Sequence, residues 1–157
     1  MLNIEENLRK YNIIIPKSNK PVANYSPYVK TEKLIFISGQ IPIADGNMLF
    51  TGKVDKDVEI SSAVKAAELC MLNSFAILKD AVQNNFSLVK KCIKINVFIN
   101  SDNLFVNQPE VADGASNLIT KIMNPNSDHT RSAVSVNSLP KNATVEIDSV
   151  FEIAFER

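Results

Sequence analysis

The chain has 157 residues, the length of one ordinary domain, and a chain of this size buries enough surface to fold without disulfides or metals. Its 17 Lys+Arg balance 17 Asp+Glu, so it lacks the basic excess that a nucleic-acid binder uses against phosphates and the polybasic segment of a membrane-surface protein. One His and two Cys, Cys70 and Cys92, exclude an ordinary Cys/His zinc site, a disulfide framework and two-histidine chemistry; carboxylates, hydroxyls, backbone groups and Arg or Lys remain, with no cofactor expected.

The first residues, MLNIEENLRKYNIIIP, do not read as a targeting segment, because Glu5 and Glu6 break any positive region and Ile13-Ile14-Ile15 is a short apolar run. No stretch reads as the ~20 apolar residues of a membrane span, and thiols without an export signal favour a reducing, cytoplasmic compartment. The chain reads as a single unit over 1–157, in which 1–20 is an extension with a short amphipathic helix at 4–10, where Ile4 and Leu8 lie one turn apart. Pro16, Pro21 and Pro27 mark an extended connection. Runs at 28–30 and 34–38, parted by Thr31-Glu32-Lys33, predict a hairpin that enters the kinked stretch Ser38-Gly39-Gln40-Ile41-Pro42. Asp45-Gly46-Asn47 is a turn signal.

A long helix is predicted over 58–83 with Asp57 as its N-cap. Ala63, Ala66, Ala67, Cys70, Met71, Phe75, Leu78 and Val82 form its apolar face, small enough at the start to lie close to a sheet. A strand follows over 92–100, where Ile93, Ile95, Val97 and Ile99 alternate with Cys92, Lys94, Asn96 and Phe98. A second helix is predicted over 110–123 behind Pro109, then strands over 131–137 and 143–155. In the last strand Val145, Ile147, Ser149, Phe151, Ile153 and Phe155 share one face; Thr144, Glu146, Asp148, Val150, Glu152 and Ala154 share the other. Two amphipathic helices and one sheet bury their apolar faces most simply as an α+β two-layer sandwich with both helices on one side. The mixed second face then suits a subunit interface lined by a polar pocket.

The blocks Ser38-Gly39-Gln40-Ile41-Pro42, His129-Thr130-Arg131-Ser132-Ala133-Val134 and Leu139-Pro140-Lys141 with Val145-Glu146-Ile147-Asp148 resemble the reactive intermediate deaminase family (RidA, also called YjgF). Tyr25-Ser26-Pro27-Tyr28-Val29 looks like that family's amino-terminal Pro-Tyr block, and the ordered set spans 21–155. The resemblance implies a chorismate-mutase-like fold on one mixed sheet and a homotrimer with ligand clefts between subunits. It also implies hydrolysis of enamine and imine intermediates, such as 2-aminoacrylate, to 2-keto acids and ammonia.

By the same resemblance Arg131 matches the arginine that holds the substrate carboxylate, a task suited to a planar guanidinium that is always charged. Tyr28, Ser38 and Gly39 match cleft positions, Asp113 falls near a cleft Asn, and Asp148 falls where better-known members carry a Glu beside the catalytic water. Asp148 is one methylene shorter than that Glu, the segment 106–114 is longer than in compact members, and the extension is additional. These features resemble a longer subgroup.

Plainer readings stand beside these. Arg131 could pair with Asp148 or Glu146 across strands, because structural ion pairs outnumber active-site arginines. Glu146 and Asp148 at i and i+2 could be a polar stripe, with Glu146 ranked below Asp148 for function. His129 is expected in a surface loop, Cys70 in inert packing, and Lys90, Lys91 and Lys94 on a solvated edge. The leading expectation is a metal-free hydrolytic deaminase acting on a small carboxylate substrate. The alternatives are a homotrimer that binds a carboxylate metabolite for regulation without turnover, and an interaction module whose nucleic-acid form the neutral charge opposes.

Overall fold

The computed structural model describes residues 2–19 and 24–154; Pro21 and Phe155, which fall within the expected connection and the expected last strand, lie outside the described residues. Asn3 caps helix α1 (Ile4–Lys10), its Oδ1 accepting from Glu6 N at 3.1 Å, with Glu5 and Glu6 in the first turn and Arg9 and Lys10 in the last. Strands β1 (Tyr28–Thr31) and β2 (Leu34–Gln40) form the expected hairpin, with Glu32 in its turn at φ 48°. Strands β3 (Ile43–Ala44) and β4 (Asn47–Met48) pair across Asp45 and Gly46, both at positive φ as a tight hairpin turn requires.

Helix α2 (Ile60–Ala81) begins later than expected. Asp57 does not cap it; its Oδ2 accepts from Lys53 N at 2.9 Å and so closes the preceding loop, and Glu59 stands at the N-cap without a side-chain bond. By length and composition alone α2 could cross a membrane, an 18-residue window of it reaching a mean hydropathy of 1.2, but it is interrupted by Lys65, Glu68 and Asn73 and serves here as the core helix of the sandwich. Within the fold its apolar face, including Ala63, Ala67, Cys70, Phe75 and Leu78, is buried.

Strand β5 (Val89–Asn100), helix α3 (Gln108–Met123), strand β6 (Thr130–Val136) and strand β7 (Val145–Ile153) complete the chain. The five-stranded sheet runs β1-β2-β7-β5-β6, and only β5 and β6 are parallel, joined by α3 as a crossover helix. Helices α2 and α3 cover one face, as expected for an α+β sandwich on a mixed sheet. The third helix, α1, packs against α3, with Asn7 Nδ2 donating to the carbonyls of Ile122 and Asn124, each at 2.9 Å. Where α3 crosses α2, Gly114 lies so close that a Cβ there would sit 3.0 Å from the Val64 carbonyl carbon.

β7 alternates as expected, with Val145, Ile147, Ser149, Phe151 and Ile153 buried beneath the helices. β5 departs from simple alternation. Register shifts between Val89 and Lys91 and between Cys92 and Lys94 put Cys92 in the core with Ile95, Val97 and Ile99, while Ile93 is only half-buried. Each extra residue reverses the alternation, which sequence periodicity cannot reveal.

Candidate functional site

The expected site residues fall into two groups, one around the β2 kink, with its acids on the uncovered face, and one at the far edge of the sheet on the helix side. The first surrounds the β2 irregularity, where pairing with β7 shifts between Ile37 and Gln40. Ser38 Oγ donates to the Ser26 carbonyl at 2.8 Å, and Ser38 N donates to the Pro27 carbonyl at 3.0 Å, which ties the segment leading into Tyr28 to this kink. Tyr28 itself is half-buried and pairs in register with Ile37. Gln40 Nε2 donates to the carbonyls of Ser38 and Gly39, at 3.0 and 3.3 Å. From α2, the buried Asn73 Nδ2 donates to the carbonyls of Ile41 and Ile43, each at 3.0 Å. The kink is therefore fixed by side chains on both flanks.

Glu146 lies against Gly39, and a Cβ at position 39 would fall 2.9 Å from Glu146 Cδ and closer still to Oε1. Burial, reinforced by the negative charge of Asp148, pushes the Glu146 carboxyl above its ordinary 4.5. Asp148 is held differently: its Oδ1 accepts from Asn96 Nδ2 of β5 at 2.8 Å. Thus Glu146, ranked below Asp148 from sequence, is the carboxylate placed on the Ser38-Gly39 backbone. Around these acids the uncovered sheet face carries Val29, Phe36 and Val134, which are 58%, 45% and 47% exposed.

The second group lies at the β6 edge on the helix side. Arg131 is in register with the buried Ile95, so it projects toward α3, whereas Glu146 is in register with Phe98 in the alternate row. Arg131 Nη1 donates to Asp113 Oδ1 at 2.7 Å and to Ser116 Oγ at 3.0 Å, and Nη2 donates to the Pro109 carbonyl at 3.3 Å. The cross-strand pairing of Arg131 with Asp148 or Glu146 that sequence left open does not form; the partner is Asp113. Nε–H and one Nη2–H keep no acceptor among the described residues. The Nε side of a guanidinium, with the adjoining Nη2, is the edge that grips a carboxylate with both oxygens.

His129, expected in a surface loop, is half-buried just before β6, with Nε2 2.9 Å from Ser116 Oγ and Nδ1 2.9 Å from the Ser127 carbonyl. Sequence reading missed Asn73, Ser116 and Gln40 as supporting residues; a polar residue interrupting the apolar stripe of α2 was the available signal for Asn73. Burial pushes the Cys92 thiol up to about 12 and raises Cys70 as well, so neither is a nucleophile. Among the described residues no cluster of three His, Cys, Asp or Glu side chains could hold a metal ion.

Within one protomer Arg131 cannot reach Glu146. They face opposite sides of the sheet, and Arg131 is three strand spacings, about 14 Å, from β2.

A family model described as "YjgF/chorismate_mutase-like, putative endoribonuclease" matches residues 5–153. The chain is 33% identical over 151 residues to Protein TCP17 of Trypanosoma cruzi, covering 96% of this chain and 94% of that protein. It is 28% identical over 142 residues to a 2-iminobutanoate/2-iminopropanoate deaminase of Dermatophagoides farinae, covering 90% and 94%. A crystal structure of a protein of unknown function from Agrobacterium tumefaciens superposes with a TM-score of 0.88 at 41% identity, covering 96% of this chain and 92% of that one.

Proposed function

The chain belongs to the YjgF/chorismate mutase-like family, and from that premise we propose that it hydrolyses small 2-imino and 2-enamino acids to 2-keto acids and ammonia. The observation that carries this reading is the division of one chemical apparatus between two places that a single protomer keeps apart. Arg131 offers a free two-donor edge at the β6 margin, while Glu146 and Asp148 sit beside Ser38 and Gly39 on the uncovered face. A homotrimer, with each cleft formed by Arg131 of one subunit and the kink of its neighbour, would reunite them and cover Phe36 and Val134. A cytoplasmic location, where such amino-acid intermediates arise, belongs to the same proposal.

The chemistry asks little of the protein. Nε–H and Nη2–H of Arg131 hold the substrate carboxylate and orient the adjacent C=N carbon. An enamine takes a proton at carbon and gives one up at nitrogen to become the imine. Water then adds to the imine carbon with one of its protons passing to nitrogen, and as the tetrahedral adduct collapses its hydroxyl proton passes to the amino group, which leaves as ammonia while the C–O bond becomes the ketone. Glu146, whose carboxyl holds its proton more readily than usual, can give and take that proton. Asp148, anchored by Asn96, sustains this by its charge. Acid–base help of this kind supplies about 10²–10⁴-fold, enough for substrates that already hydrolyse in water.

The test generates 2-iminobutanoate enzymatically from threonine and follows 2-oxobutanoate and ammonia release with and without the protein. Acceleration by the protein and its loss in Arg131→Ala support the reading. No acceleration across several amino-acid precursors overturns it and leaves carboxylate binding without turnover. Light scattering should report a trimer.

A further inference from the structure

We propose that Ser116 and His129 are positioning residues that lock the guanidinium of Arg131, an inference that rests on the carboxylate-clamp reading above. The hydrogen-bond directions follow from which atoms can donate. The Ser127 carbonyl can only accept, so His129 Nδ1, 2.9 Å away, carries the proton. In the neutral ring Nε2 is then an acceptor, and Ser116 Oγ, also 2.9 Å away, must donate to it. Arg131 Nη1 can only donate, so Ser116 Oγ receives it at 3.0 Å. The result is a one-way chain: Arg131 to Ser116 to His129 to the Ser127 backbone.

Every link has a rigid support. Ser116 sits inside the 16-residue helix α3, and His129 is fixed at both ring nitrogens. Asp113 alone would hold Nη1 with one carboxylate oxygen and leave the guanidinium plane free to turn, because its side chain is 55% exposed. Ser116 and the Pro109 carbonyl add the further points that define a plane. With Nη1 engaged twice and Nη2 once, the Nε–H side is the part of the guanidinium left for a ligand. The lock uses the histidine for its acceptor nitrogen and its rigidity; no proton is transferred to substrate.

The chain has a single histidine, so ¹⁵N NMR of histidine-labelled protein reads this ring without ambiguity. Of the two neutral tautomers the wild type is expected to show the Nδ1–H form, and Ser116→Ala to broaden or shift its Nε2 resonance. Binding of 2-oxobutanoate by calorimetry is the second readout. Ser116→Ala should raise Kd about three- to tenfold and Ser116→Thr, which keeps the hydroxyl, about twofold or less, with the oligomer unchanged. An Nε2–H tautomer in the wild type, or binding lost in Arg131→Ala and intact in Ser116→Ala, overturns the lock and leaves the clamp standing. Unchanged binding in Arg131→Ala overturns the clamp and the lock with it. The tautomer and the Ser116→Thr variant keep the test decisive even if Ser116→Ala folds poorly.

Discussion

The Glu146 carboxyl rests on Gly39, in space that any larger residue at position 39 would occupy. The atom in the way is the far end of a flexible side chain, so Gly39→Ala should displace the carboxylate and spare the fold. Its denaturation midpoint should move by less than the equivalent of about 1 kcal/mol, while imine hydrolysis falls at least tenfold, about the acid–base share of one displaced carboxyl.

Gly114→Ala should behave in the opposite way. Alanine favours a helix interior by about 1 kcal/mol over glycine. Here its Cβ would press on the Val64 carbonyl of α2, which is backbone and cannot swing aside. A net loss of about 1–3 kcal/mol is expected in chemical denaturation, the usual cost of overpacking.

Glu146 also gives a signed pH dependence. Its folded-state carboxyl lies above the ordinary 4.5, first through burial and then through Asp148. The native state therefore holds more protons than the unfolded chain between those two values, and stability falls as pH rises from about 4.5 through the raised value. Glu146→Gln removes that penalty. Its melting temperature should exceed that of the wild type at pH 7, and the difference should vanish below pH 4.5.

The thiols should be silent. Cys70 and Cys92 are fully buried, and burial holds Cys92 at about 12. A thiol reagent at pH 8 should label neither in the native protein and both after denaturation.

Asn7 should be a structural residue of the extension. It donates to the carbonyls of Ile122 and Asn124 at the end of α3. Asn7→Ala should cost about 1–2 kcal/mol in denaturation, the worth of two partly exposed hydrogen bonds, without altering 2-oxobutanoate binding.

Local rules carried much of the fold. The hairpin at Glu32, the turn at Asp45 and Gly46, the long apolar face of α2 and the alternation of β7 all express short-range sequence chemistry. Cys92 entered the core because bulges in β5 depend on its partners, and Asp57 turned to Lys53 because a loop closed over it. The candidate residues stood out in the sequence as blocks, and their arrangement did not. Arg131 chose Asp113 over the nearby acids of β7 because sheet register sent it to the helix side, a choice no residue spacing encodes. Glu146 lies against the kink because a glycine in another strand left room for it.

The account turns on Arg131 of one subunit serving Glu146 of its neighbour. Arg131→Ala and Glu146→Gln, each inactive alone, should be unfolded together, refolded as mixed trimers confirmed by native mass spectrometry, and assayed for imine hydrolysis. A cleft shared between neighbours restores an intact pair at about a quarter of the sites in a random closed ring, so about a quarter of the wild-type rate should return. Mixed trimers that form and stay as inactive as either variant would place both residues in one subunit's site and contradict the account.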